Sequence, residues 1–176
     1  MFSLEPRGGG PERARLIAND QLTPADFAAI AESIKTPPMR ARKAGFVSAR
    51  QATRTERIVT HWNGEETANT AEPGDFIATN LSPERAILRD ANGNANTYVI
   101  RAGRFAELYE PVTSLIEHGQ VYRARGIVEA LPLPGGFEIL APWGEMQRAD
   151  SGYLLKSGTE IYGNATATFE ATYRRI

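Results

Sequence analysis

Cysteine is absent from all 176 residues, which removes disulfides, thiolate zinc sites and cysteine nucleophiles together. Histidine occurs only at His61 and His118, too far apart for a zinc-ligand pair, so no metal and no cofactor is expected. No segment approaches the roughly 20 consecutive apolar residues of a membrane helix. The opening MFSLEPRGGGPERAR also lacks the apolar stretch of a secretory leader. The expectation is a cytoplasmic chain with no membrane partner. Neither sign of charge dominates: 20 Lys and Arg face 21 Asp and Glu, a formal net charge of −1, so no global field draws nucleic acid. Familiar catalytic signatures are missing as well, with no GxSxG, Walker loop, Rossmann fingerprint or HExxH in the chain.

What is there is said twice. GFVSARQATRTERIVTHW runs from Gly45 to Trp62, and GIVEALPLPGGFEILAPW runs from Gly126 to Trp143, both intervals being seventeen residues. Each stretch is followed by a Gly-led apolar run, GDFIAT from Gly74 and GYLLKS from Gly152. Each then closes on a triplet, Tyr98, Phe105, Tyr109 and Tyr162, Phe169, Tyr173, spaced seven and four in both. The pattern implies a tandem duplication, the second copy lacking most of the region around DANGNAN. The expected fold is mainly β (α+β), two small antiparallel barrel-like, SH3-like units with an N-terminal helix.

Residues 1–20, with Gly8, Gly9, Gly10 and Pro11, read as a flexible tail. Residues 21–42 hold a helix and a Pro-containing connector. Thr23 is placed as N-cap, Pro24 as first helical residue, and Phe27, Ile30, Ala31 and Ile34 form an apolar stripe ended by Pro37 and Pro38. The first repeat spans 43–112. Phe46–Ala52, Arg57–Trp62, Glu65–Ala71, Phe76–Thr79, Ala86–Arg89 and Thr97–Arg101 read as its strands, with a tight turn at Asn63–Gly64. Arg104–Tyr109 reads as a helical turn, and 113–119 as a connector in a short helix capped by Gly119. The second repeat, 120–176, begins with one strand, Gln120–Leu131, and Phe137–Trp143 reads as a further strand with Trp143 in the core. Its missing hairpin leaves an open sheet edge, a route to homo-oligomers.

In the first copy, the order Trp62, Pro73–Gly74–Asp75–Phe76, Tyr98, Phe105, Tyr109 resembles the small bacterial and phage proteins grouped by a Pro-Gly-Asp-Tyr-Gly turn, the PGDYG type. The likeness spans about Lys43 to Pro111, and Phe76 and Ile77 depart from the signature. It implies a fold unit and a turn, not a reaction.

Three functional readings stay open. The first is a non-catalytic binding module for a protein or small ligand, with Tyr98, Arg101 and Arg104 as candidate contacts. The second is an enzyme acting on a phosphate- or sugar-like substrate in a polar pocket at the unit interface. It would use His61, Glu65 or Asp75 as acid/base groups. The third is a nucleic-acid binder using the basic segment Arg40, Arg42, Lys43, Arg50, Arg54 and Arg57. Against these stand plainer roles: a solvent-facing His61 opposite a packed Trp62, Asp75 as a turn residue bonded to backbone N–H groups, and the cations as a solvated strand face. Polar residues found only in the first copy are the place to look for a site.

Overall fold

A computed structural model describes residues 1–62, 64–116 and 119–176, with side chains except those of 65 and 113–116. In chain order the elements are β1 (Phe2–Glu5), β2 (Arg15–Gln21), α1 (Pro24–Ser33), β3 (Met39–Lys43), β4 (Phe46–Gln51), β5 (Glu56–Trp62), β6 (Glu65–Ala71), β7 (Phe76–Leu81), β8 (Thr97–Ile100), α2 (Ala102–Leu108), β9 (Tyr109–Ile116), β10 (Gly119–Ala124), β11 (Ile127–Leu133), β12 (Phe137–Leu140), β13 (Met146–Ala149), β14 (Gly152–Ser157), β15 (Glu160–Ala165), α3 (Thr166–Thr172) and β16 (Tyr173–Arg175). The molecule is mainly β. It divides into unit one, Met1–Arg42 with Ile127–Ile176, and unit two, Lys43–Gly126. These bounds differ from the sequence division, which cut between 112 and 120. No sheet among the described residues closes into a barrel, so the barrel expectation is corrected to open, largely antiparallel sheets.

Unit one contains a four-stranded sheet, β1-β2-β12-β13, and a five-stranded one, β15-β14-β11-β3-β16. Its helix forms where local chemistry demands it. Thr23 Oγ1 accepts the Asp26 N–H at 3.1 Å, and the Asp26 carboxylate accepts the Thr23 N–H at 2.8 Å. This reciprocal box satisfies two otherwise orphan donors. Phe27, Ile30, Ala31 and Ile34 are buried among Leu16, Leu131, Leu133, Phe137 and Leu154. Lys35, at φ 54, then ends the helix in a left-handed turn, with Thr36 N–H on Ala31 C=O at 3.1 Å. The first twenty residues are not a tail: β1 pairs with β2, and β2 lies parallel to β12. Leu16 and Ala18 alternate into the core, a period too short to stand out beside the glycines. Phe137 fills the centre against Gly152 and Gly163, where a Cβ would sit 2.6 and 2.4 Å from its ring.

Unit two contains the five-stranded sheet β8-β7-β4-β10-β9 and a two-stranded ribbon, β5-β6. The ribbon continues the β4–β7 pair in one register: Gln51 faces Phe76, and Glu56 faces Ala71. Between them the chain is pinched, with Ala52 N–H on Asp75 C=O at 2.7 Å and Gly74 N–H on Ala52 C=O at 2.8 Å. Gly74 takes φ 96 there, a conformation that suits glycine. The core is aromatic: Phe76 and Phe105 stack at 3.9 Å, and Phe105 and Tyr109 at 5.2 Å.

The two five-stranded sheets share one plan, strand for strand. Ala49 and Ala130, each four residues after its glycine, face Ala78 and Leu155. Ala78 and Leu155 in turn face Tyr98 and Tyr162. Seven-residue helices α2 and α3 follow, and the Tyr98–Tyr109 and Tyr162–Tyr173 hydroxyls meet at 3.0 and 3.1 Å. This register places Gly152, not Tyr153, at the position of Asp75, correcting the Gly74–Gly152 correspondence by one residue. The first strands are exchanged. β3, which precedes β4, pairs with β11 (Arg42 opposite Ile127), whereas β10, which precedes β11, pairs with β4 (Arg123 opposite Phe46).

Several local readings change. The expected 113–119 helix is replaced by β9 as far as Ile116, because its partner β10 supplies a ladder that a short helix could not match; Glu117 and His118 lie outside the described residues. Gln120–Leu131 is interrupted at Arg125–Gly126, where the chain passes from one sheet to another. Ala86–Arg89 makes only isolated bridges, Leu81 to Ile87 and Arg89 to Ala95. Trp143 is 46% exposed in a turn after β12, while Trp62 is half-buried on β5. The expectation of Trp143 in the core is therefore corrected. Asn63 lies outside the described residues, so the turn type at Asn63–Gly64 is not assigned.

Candidate functional site

An open, polar groove of about 390 Å³ in unit two is lined by Arg57, Ile58, Val59, Thr60 and His61 of β5 and by Asn94, Ala95 and Thr97. Alternation on β5 turns Arg57, Val59 and His61 outward, whereas Thr60 is buried. Thr60 ties the walls together, its hydroxyl donating to the Thr97 carbonyl at 2.5 Å. Thr97 Oγ1 also meets Thr79 Oγ1 at 2.9 Å. The second wall comes from the link between β7 and β8, residues 82–96, which unit one reduces to Gly158–Thr159. That link is held by Asp90, whose carboxylate accepts the N–H groups of Asn92 and Asn94, both at 2.9 Å. Five consecutive residues of one strand line the groove, so it runs along the free edge of β5 rather than across a face. Among the described residues β5 pairs with β6 alone.

His61 stands opposite Glu66 on β6, Nδ1 to carboxylate 3.6 Å, with both side chains more than half exposed. The side chain of Glu65 lies outside the described ones. Asp75 is elsewhere engaged. It is buried, accepting the Glu72 N–H at 2.9 Å, the Arg101 guanidinium at 2.6 Å and the Ala102 N–H at 3.4 Å. Burial works against its charge, but the Glu72 N–H, the Arg101 guanidinium and the Ala102 N–H together hold its carboxyl below the ordinary range. Asp75 thus joins a turn to the start of α2. The fold gives His61 and Asp75 separate partners and does not bring them into one acid/base pair.

Tyr98 donates to Asn80 Oδ1 at 2.8 Å, beside the Tyr109 hydroxyl. Burial, followed by the neighbouring Tyr109, pushes its phenol well above the ordinary range, so it serves as a neutral donor. The Lys43 ammonium lies 5.3 Å from the Tyr109 ring centroid and 6.0 Å from that of Tyr98. Arg101 is held by Asp75, and Arg104 pairs with Glu107. These three candidate contacts have internal structural partners and do not converge on a ligand site. The basic segment is divided: Arg40 and Arg42 fall in unit one, and Lys43, Arg50, Arg54 and Arg57 in unit two. Arg50 is clamped by Glu56 through two 2.8 Å bonds; of the six, only Arg57 lines the groove.

No group of three or more His, Asp or Glu among the described residues is arranged to hold a metal ion. No described helix is long and apolar enough to cross a membrane. Sequence reasoning missed Val59, Thr60, Asn94, Ala95 and Thr97. Their signal was the strand alternation at 57–61 beside a link present in only one unit. No protein-family model, curated protein or solved structure matches this chain.

Proposed function

We propose that the chain is a non-catalytic binding module and that its ligand is an extended protein segment lying in the groove between β5 and Asn94–Thr97. One observation carries this reading: the groove's second wall is the long β7–β8 link, which the corresponding place in unit one lacks. The fold does not need that link, since β14 and β15 pair through a two-residue turn. A free strand edge offers backbone donors and acceptors to a partner strand, and alternate side chains supply selectivity. Relatedness of the two units by duplication is part of the proposal, supported by their matching registers and hydroxyl pairs. The likeness of Pro73–Phe76 to PGDYG-type turns adds no reaction to it.

The test is selection of a displayed random peptide library on the intact protein. Its counter-screen is a variant in which residues 82–96 are replaced by the Gly-Thr link of unit one. Enriched peptides that bind the protein and lose the variant support the groove. Failure to enrich, or equal binding to both, overturns it. Circular dichroism of the variant establishes that it folds.

A further inference from the structure

Resting on the groove reading, we infer that the segment β5 accepts carries a carboxylate two positions from an aliphatic residue, the carboxylate meeting Arg57 and the aliphatic side chain lying on Val59. The three outward residues of β5 differ in what they leave uncompensated. His61 already faces Glu66 across the ribbon. Val59 is 46% exposed and faces only Ala68. Arg57 faces Thr70, and no carboxylate among the described side chains forms an ion pair with it, in contrast to Arg50 with Glu56 and Arg101 with Asp75.

A strand laid along β5 places its alternate side chains beside Arg57, Val59 and His61. Cross-strand neighbours favour opposite charges and packed β-branched pairs. The complement of this row is therefore acidic at the Arg57 end, aliphatic in the middle, and polar without positive charge at the His61–Asn94 end. The order along the peptide reverses between parallel and antiparallel pairing, but the two-residue spacing does not change. Nucleic acid is the less favoured occupant, because an exposed aliphatic between Arg57 and a carboxylate-paired His61 matches no run of phosphates.

Synthetic peptides decide this by fluorescence anisotropy. One series carries Glu-x-Val or Val-x-Glu, the two orders for parallel and antiparallel pairing, within a β-prone frame; its partner series carries Lys-x-Val or Val-x-Lys. The Glu peptides are expected to bind the protein at least about tenfold more tightly than the Lys peptides, as a close charge pair requires. Arg57→Glu should reverse the order, and Val59→Asp should weaken both series. Binding of both series with equal affinity, unchanged by Arg57→Glu but lost when the 82–96 link is replaced, overturns the acidic specificity and leaves the groove standing. Absence of binding by any peptide overturns both. Oligonucleotide binding lost in Arg57→Glu, with no peptide binding, overturns a protein partner. Arg57 and Val59 are exposed, so both variants should fold, and their thermal unfolding checks it.

Discussion

Unit one and unit two share a five-stranded plan but divide its uses. Unit one adds β1, β2 and α1 to an aliphatic core centred on Phe137. Unit two has the β5–β6 ribbon where chain order gives unit one β12–β13, and it adds the 82–96 link and a buried Asp75 paired with the exposed Arg101, where unit one has Gly152 and Ala165. Both keep the tyrosine hydroxyl pair and the ring beneath it, with Phe76 on Phe105 and Tyr153 on Phe169 each at 3.9 Å. A shared aromatic plug, then, belongs to the scaffold; what one unit holds alone is either its own reinforcement or the surface proposed for a partner.

The largest expected effect is on the aliphatic side. Phe137→Ala should cost about 3–5 kcal/mol in urea unfolding, because two glycines hold a cavity shaped to that ring. A loss under about 1 kcal/mol would mean that unit one does not depend on it. Asp75→Ala comes next, at about 2–3 kcal/mol, since two backbone N–H groups and a guanidinium lose their acceptor. Its folded carboxyl lies below the ordinary value of 3.8. The associated stability is therefore present above about pH 4 and lost as pH falls further. Stability measured from pH 6 to pH 2 should fall less steeply in Asp75→Asn than in the parent.

Smaller changes sharpen the likeness between the units. Tyr98→Phe and Tyr162→Phe each remove one hydroxyl from a pair, an effect of about 1 kcal/mol. Tyr98→Phe should be the larger because Asn80 also loses its donor; equal or reversed values would contradict the assigned network. Arg50→Ala should be smallest, below about 1 kcal/mol, the range of exposed ion pairs.

Features written locally were legible in the sequence. Thr23, Pro24 and Asp26 mark the start of α1 within four residues, and the Tyr-Phe-Tyr spacing marks α2 and α3. Pairings across distance were not. Ala44–Gly45 and Arg125–Gly126 are the two-residue links of an ordinary hairpin, yet β3 and β4 join different sheets, as do β10 and β11. Nothing local separates a turn from a crossing, because the choice is made by the strand available to pair. The β5 groove was half legible. The excess of residues around DANGNAN pointed to the unit that holds the groove, but Asp75, the most reactive-looking carboxylate, proved to be buried against Arg101 and α2.

The exchange of first strands is the central claim about this fold, and nuclear Overhauser contacts in the unmodified protein test it without perturbation. The expected cross-strand contacts link Ala41 with Val128 and Tyr122 with Val47. Contacts joining β3 to β4 and β10 to β11 as plain hairpins, with those two pairs missing, would contradict it.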